Sequence, residues 1–397
     1  MKPAPPTIRE ATRLIRSGPK TSGPDAVPLA QTVGPPVQRG STVLLPDAAA
    51  LYDHGQVTYG RAGLAAQNAL IGALCELEGA VGAQLFPSGL AAMTGAILAV
   101  VEAGDTVLVA DSIYAPTRRF CDKVLKRMGV RVEYYPPRAT PETLIAQGGE
   151  DLALIVLESP GSLTFEMQDA PAITAAARAR GVLTLIDNTW AAGLLYKPLA
   201  HGVDFSVQAL TKYVCGHSDV FMGSACAGTP AGAQALDEAV LHVGWAVSPD
   251  DAYQALRGLR TLPTRMARHG QSGLKIAAWL AEQPQVSLLL HPALPASPDH
   301  ALWRRDFSGA CGLFGVVLQP APASAVDAFL DALSLFGLGF SWGGFESLAI
   351  SCDAQLGSRQ HHQPYPGPLV RLHVGLEDPQ DLIEDLQQAL TVFESRR

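Results

Sequence analysis

The sequence predicts an α/β protein: a mostly parallel central sheet covered by helices on both faces, preceded by an extended N-terminal arm and followed by a smaller C-terminal α/β domain. Two observations carry this expectation. From about Leu64 onward, short apolar runs alternate with stretches of helical periodicity, the pattern of right-handed βαβ units. Of 397 residues, 48% are hydrophobic and 17% charged, enough to fill the cores of two or three domains and unlike a disordered chain or a coiled-coil rod.

The elements follow in order. Pro3, Pro5, Pro6, Pro19, Pro24, Pro28, Pro35, Pro36 and Pro46 crowd the start, where the apolar positions keep no period, so residues 1–62 are expected to form an arm. Residues 63–258 then read as the first domain. Its helices are predicted at Gln67–Leu77, Leu90–Glu102 (stopped at Gly104), Thr117–Met128 and Ala170–Arg180. Its strands are predicted at Gln84–Phe86, Thr106–Ala110, Val130–Tyr134, Leu152–Leu157, Val182–Ile186 and Phe205–Ala209. In residues 259–397 the texture changes. One helical stretch from Asp251 to Leu280 crosses that boundary; strands at Gln285–Leu290, Leu313–Leu318, Leu348–Ser351 and Val370–Val374 and helices at Ala325–Leu333 and Pro379–Phe393 complete the chain.

Charge and cysteine content exclude several functions. A formal charge of -8 offers no cationic surplus for a phosphate backbone, so nucleic acid is not the expected partner. Six cysteines lie at long, uneven intervals with no C-x-x-C pair, which fits neither a zinc ribbon nor a disulfide framework and suits a reducing cytoplasm. The most apolar segment, Leu90–Val101, is far short of the roughly 20 residues that span a bilayer. A basic, acid-poor start leaves an organelle transit peptide open.

In open α/β sheets, ligands sit at the carboxyl ends of the strands, which singles out three places. Phe86-Pro87-Ser88-Gly89-Leu90 turns from a strand into a helix whose amides and dipole suit a phosphate, although Ser and Gly there also serve as cap and turn. Asp187 ends the apolar run Thr184–Ile186, where a carboxylate can face a ligand cation or merely cap the next segment. Lys212 follows the run Val207–Leu210, where an amine can act as nucleophile or remain a surface charge. Taken together the three match one ligand. Pyridoxal 5′-phosphate needs a helix N-terminus for its phosphate, an acid for its ring nitrogen and a Schiff-base lysine.

Longer motifs agree. Thr58-Tyr59-Gly60-Arg61, Leu157-Glu158-Ser159-Pro160-Gly161-Ser162, Ile186-Asp187-Asn188-Thr189-Trp190, Ala209-Leu210-Thr211-Lys212-Tyr213, Gly216-His217-Ser218-Asp219, Ser341-Trp342-Gly343-Gly344-Phe345-Glu346-Ser347 and Arg371-Leu372-His373-Val374-Gly375-Leu376-Glu377-Asp378 resemble the Cys/Met-metabolism family of pyridoxal-phosphate enzymes over nearly the whole chain, most closely its carbon–sulfur β-lyases. The resemblance implies the aspartate aminotransferase type I fold and a homo-oligomer, a dimer of dimers with shared sites. It implies that Lys212 binds the cofactor and moves the substrate α-proton, that Asp187 pairs with the ring nitrogen, and that Tyr114 stacks on the ring. Ser88, Gly89, Leu90 and Thr211 would hold the phosphate, with Tyr59 and Arg61 reaching that of a neighbouring subunit. Arg371 would clamp the substrate carboxylate, assisted by Ser341, Trp342 and Tyr59.

The implied reaction cleaves L-cystathionine to homocysteine, pyruvate and ammonia, a step of methionine biosynthesis. The family's cystathionine γ-synthases, γ-lyases and methionine γ-lyases are the alternatives, as is a non-enzymatic cofactor-binding regulator. Ala209 stands where many members have Ser, and Arg61-Ala62-Gly63-Leu64-Ala65 lacks the Asn-Pro-Thr pattern of γ-acting relatives. Other readings are weaker: Gly337, Gly339 and Gly343 miss the dinucleotide spacing, His361-His362 lacks a third metal ligand, and Ser88 lacks a nucleophile elbow.

Overall fold

Every residue of β2 (Thr106–Ala110) is buried, as a parallel strand covered on both faces must be. It lies in a seven-stranded sheet of order β1 (Gly82–Phe86), β7 (Gly223–Ala227), β6 (Phe205–Gln208), β5 (Leu183–Asp187), β4 (Leu152–Glu158), β2 and β3 (Arg131–Tyr135). β7 runs antiparallel to both its neighbours, and all other pairs are parallel. Alternate side chains feed two cores. Leu108, Ala110, Ile155, Leu157 and Ile186 pack on one face, Val107, Val109, Leu154, Val156 and Leu185 on the other.

This computed structural model describes residues 32–53 and 55–397. The expected arm is therefore seen only in part: residues 1–31 and 54 lie outside the described residues. From Val37 the chain forms one compact unit, and its first stretch contributes an isolated bridge between Thr42 and Tyr59 and two short 3-10 turns, Ala49–Tyr52 and Gly60–Ala62.

A second sheet orders as β10 (Gly337–Leu338), β11 (Leu348–Ser351), β12 (Leu369–His373), β9 (Leu313–Leu318) and β8 (Val286–Leu290). The helices Leu262–Ala281, Ala323–Ala332 and Pro379–Arg396 cover it through Ile276, Phe329, Leu386 and Phe393. β12 is the central strand here, and it carries Arg371 and His373 to the boundary with the first sheet.

Several predicted bounds shift. The stretch Asp251–Leu280 is two helices, Pro249–Leu259 and Leu262–Ala281, because Pro263 lacks an N–H and sits only in a first helical turn. The helix expected to reach Glu102 ends at Leu98, where Val100 N–H turns back to the Ile97 carbonyl. That expected over Thr117–Met128 is an α-helix, Ala115–Lys123, followed by a 3-10 turn. Phe205–Ala209 ends one residue early, at Gln208. Sequence reading missed β7, whose Gly-Ser-Ala-Cys-Ala carries no β-branched residue, and the helices Pro141–Gly148 and Pro230–Val243, each signalled by Thr at the N-cap and Pro at the first position.

Candidate active site

β5 ends on Asp187 and β4 on Glu158, and the two are register partners. Asp187 Oδ1 accepts the N–H of Thr189 at 3.0 Å and its hydroxyl at 2.5 Å. Burial pushes the Asp187 carboxyl up, while the Thr189 bonds and the Lys212 charge pull it back. Glu158 takes the Tyr114 N–H on Oε2 at 2.7 Å and the Ser162 hydroxyl on Oε1 at 2.5 Å. Tyr114, held in this way by its main chain, is the N-cap of the helix Ala115–Lys123, and its ring is half exposed above the strand ends. Its phenol is pushed up by burial first and then by the Asp187 and Glu158 charges, with Arg371 opposing.

Lys212 lies in the turn after β6. Its Nζ donates to Ser341 Oγ at 2.9 Å and stands 5.3 Å from the Trp342 ring. Burial, followed by the Arg371 charge, holds its amine down at about 8, with Asp187 opposing. Such an amine is neutral for an appreciable fraction of the time near physiological pH, as a proton-transfer group requires. The backbone around it is fixed. Arg265 donates to the carbonyls of Tyr213 at 2.6 Å and Val214 at 3.1 Å. Gly343, at φ +84°, packs so closely on this turn that a Cβ would lie 2.8 Å from Tyr213 N.

Arg371 is buried on β12 and donates to the carbonyls of Phe340 and Ser341 at 3.1 and 3.0 Å. Two residues along the strand, His373 Nε2 accepts the Gly343 N–H at 3.0 Å. The same Nε2 lies 3.2 Å from the Gly344 carbonyl, and burial drives the imidazole well below its ordinary range. One strand thus grips both ends of the segment that presents Ser341 and Trp342.

The turn after β1 supplies a different feature. Ser88 Oγ caps the helix Gly89–Leu98 by accepting Ala91 N–H at 3.1 Å, and the first intrahelical bond runs from Ala92 N–H to the Ser88 carbonyl. The amides of Gly89 and Leu90 precede it, as orphan donors at a positive helix end. Gly89 lies against Ala209, where a Cβ would collide. Thr211 Oγ1 donates to the Met222 carbonyl at 3.1 Å and accepts the Met222 N–H at 3.0 Å, so donation to a phosphate requires it to leave that carbonyl.

Lys212, Asp187, Tyr114, Arg371, Ser341 and Trp342 therefore converge, with the Ser88–Leu90 helix start beside Ala209. Tyr59 and Arg61 are not tied to this group by any hydrogen bond among the described residues. Tyr59 is half exposed, and Arg61 donates to the Leu241 carbonyl at 3.1 Å. Glu158 and His373 are functional neighbours that the motifs alone do not single out. The clue to them was a polar residue closing an otherwise apolar run, Leu152–Leu157 before Glu158 and Leu369–Leu372 around Arg371 before His373.

The comparisons with known proteins identify the family. The profile of the family described as Cys/Met metabolism PLP-dependent enzyme spans residues 11–391. This chain belongs to that family. Cystathionine beta-lyase MetC of Escherichia coli is 44% identical over 339 residues, 84% of this chain and 85% of that protein. Cystathionine beta-lyase of Bordetella avium is 43% identical over 370 residues, 91% of this chain and 92% of its own. Among solved structures, a cystathionine gamma synthase from Xanthomonas oryzae pv. oryzae superposes with a TM-score of 0.86 at 30% identity, covering 98% of this chain and 99% of that one.

As a Cys/Met-metabolism enzyme the protein uses pyridoxal 5′-phosphate, and its donor set fits that group. A carboxylate stands at a strand end for the ring nitrogen, an amine of lowered basicity follows the neighbouring strand, and a helix start with orphan amides suits the phosphate. No described helix is long and apolar enough to cross a membrane. All six cysteines are unpaired, and only Cys75 is not buried.

Proposed function

We propose that this enzyme is a carbon–sulfur β-lyase converting L-cystathionine and water to homocysteine, pyruvate and ammonia, the homocysteine-forming step of methionine biosynthesis. The observation that carries the reading is the Lys212–Ser341 hydrogen bond, made to the same segment whose carbonyls hold Arg371. The proton-moving amine and the carboxylate clamp form one rigid unit. Two relatives carrying that activity in their names, and the absence of an Asn-Pro-Thr pattern after Tyr59, favour β- over γ-chemistry.

The bound cofactor supplies an electron sink for the pair released when the α-proton leaves. The chain does the rest. The Gly89 and Leu90 amides, the Ser88 turn and Thr211, once released from the Met222 carbonyl, would hold the phosphate, and Asp187 would face the ring nitrogen. Arg371 binds the substrate α-carboxylate through its guanidinium, which turns the Cα–H toward Lys212. Lys212 takes that proton at Nζ and returns it to the departing homocysteine sulfur; general acid–base help of this kind contributes about 10²–10⁴-fold. Tyr114 would stack on the ring and withdraw the reacting centre from water. Ser341 and Trp342 keep the Lys212 amine aimed at the substrate.

The same reading assigns residues 63–258 to cofactor binding, 259–397 to substrate binding and 1–62 to an arm that meets a neighbouring subunit. Tyr59 and Arg61 act there on the neighbour's phosphate, in a dimer of dimers. Six thiols suit a reducing cytoplasm.

Incubation of the holoenzyme with L-cystathionine tests the proposal, and pyruvate plus homocysteine is expected. Release of 2-oxobutyrate plus cysteine means a γ-lyase, and no keto acid at all means a synthase or a binding protein. Borohydride reduction should trap the cofactor on Lys212; an adduct on another lysine overturns the assignment.

A further inference from the structure

The register that sets Glu158 beside Asp187 has a chemical consequence. Partners on adjacent parallel strands project from one face, with the strands about 4.8 Å apart. Glu158 is buried and Asp187 partly so. Two like charges facing each other from neighbouring strands, one of them buried, oppose ionising together at neutral pH, so the pair holds one proton.

The surroundings decide which residue holds it. Asp187 Oδ1 takes two donors from Thr189, one of them a main-chain N–H that can only donate, and the Lys212 charge lies nearby. Glu158 has a different pair of neighbours. The Tyr114 amide donates to Oε2, but the Ser162 hydroxyl at Oε1 can rotate to accept a proton instead of giving one. A neutral glutamic acid thus keeps both contacts. The remaining neighbours leave this unchanged. Gln168 Oε1 accepts the Glu158 N–H, and Arg359 directs its guanidinium to the Ser162 carbonyl and the Thr164 hydroxyl. Burial and the facing Asp187 both push the Glu158 carboxyl up, more strongly than Ser162, Tyr114 and Arg359 pull it down.

We propose that Glu158 is a positioning residue that carries the proton of the Glu158–Asp187 pair, leaving Asp187 as the anion toward the ring nitrogen, while its other oxygen fixes Tyr114 by the main chain. The proposal rests on the roles given above to Asp187 and Tyr114. It adds a group that touches neither substrate nor cofactor yet sets the charge state of one residue and the placement of another.

Infrared spectroscopy of the holoenzyme, labelled with carboxyl-¹³C glutamate or aspartate, tests it. At neutral pH a protonated-carboxyl C=O band should shift with the glutamate label and be lost in E158Q. A pair-derived acid band that follows the aspartate label, or a glutamate-sensitive band undiminished in E158Q, overturns the proposal. Glu78 is also fully buried, with its carboxyl pushed up by burial, and must be separated. In E78Q a glutamate-sensitive acid band should therefore remain, and its disappearance there overturns the proposal even if E158Q does not fold. Wild-type protein that binds no cofactor, or is trapped elsewhere than Lys212, refutes the functional reading itself and is seen before either variant is made.

Discussion

Lys212 Nζ and Ser341 Oγ lie 2.9 Å apart, joining the turn after β6 of the first sheet to the segment that precedes β11 of the second. The bond ties the amine that moves the proton to the loop that grips Arg371.

Ser341→Ala removes an acceptor for the Lys212 ammonium. A typical hydrogen bond is worth about 1 kcal/mol, so kcat/KM should fall roughly fivefold. Because Ser341 favours the charged amine, its loss should lower the Lys212 pKa further below the present value of about 8. The pH dependence of Lys212 acylation in the cofactor-free protein reads this, and an upward shift would contradict it.

Lys212 also links stability to pH. Its folded value of about 8 lies below the ordinary 10.5. Between these two values the unfolded chain binds the proton and the folded protein does not, so stability rises with pH across that window. Cofactor-free Lys212→Met should lack this rise and be the more stable of the two below pH 8. Denaturant melts from pH 7 to 11 compare the slopes.

Arg371→Lys keeps the charge and loses the planar fork. Charge-assisted bonds are worth about 1.5–3 kcal/mol, so kcat/KM should drop roughly 10- to 100-fold, chiefly through KM. An unchanged KM would remove Arg371 from the carboxylate site.

Gly343 combines φ +84° with backbone contact to Lys212 and Tyr213. Gly343→Ala should cost about 1–3 kcal/mol in strain and lower activity by displacing Ser341. Gly104→Ala, also at positive φ but with open space around it, should cost stability without lowering kcat. Denaturation and steady-state kinetics on both variants separate strain from displacement.

Arg61, bonded here to Leu241 on its own chain, is assigned to a neighbour's site. Arg61→Ala and Lys212→Ala proteins, each nearly inactive, should regain activity when dissociated and reassembled together, since a mixed pair holds one intact site. No recovery would mean that each site is complete within one subunit.

The sequence by itself determined much of this protein. Apolar runs and their spacing revealed β2, β4, β5 and β6, because a strand buried on both faces is mostly apolar. The polar residue closing each run then marked Asp187 and Lys212. What only the tertiary structure decided depends on partners distant in sequence. β7 is a strand because β1 and β6 flank it, not because Gly-Ser-Ala-Cys-Ala favours one. The break at Arg260–Thr261 was legible in Pro263 and obscured by the continuous helical pattern around it. Ser341 reaches Lys212, and His373 reaches Gly343, only because β12 crosses at the boundary of the two sheets. Glu158 and Asp187 stand together through strand register alone, which hydrophobic periodicity does not encode. Side-chain pattern fixes which face a residue takes; hydrogen-bonded pairing between strands fixes which residue it meets there.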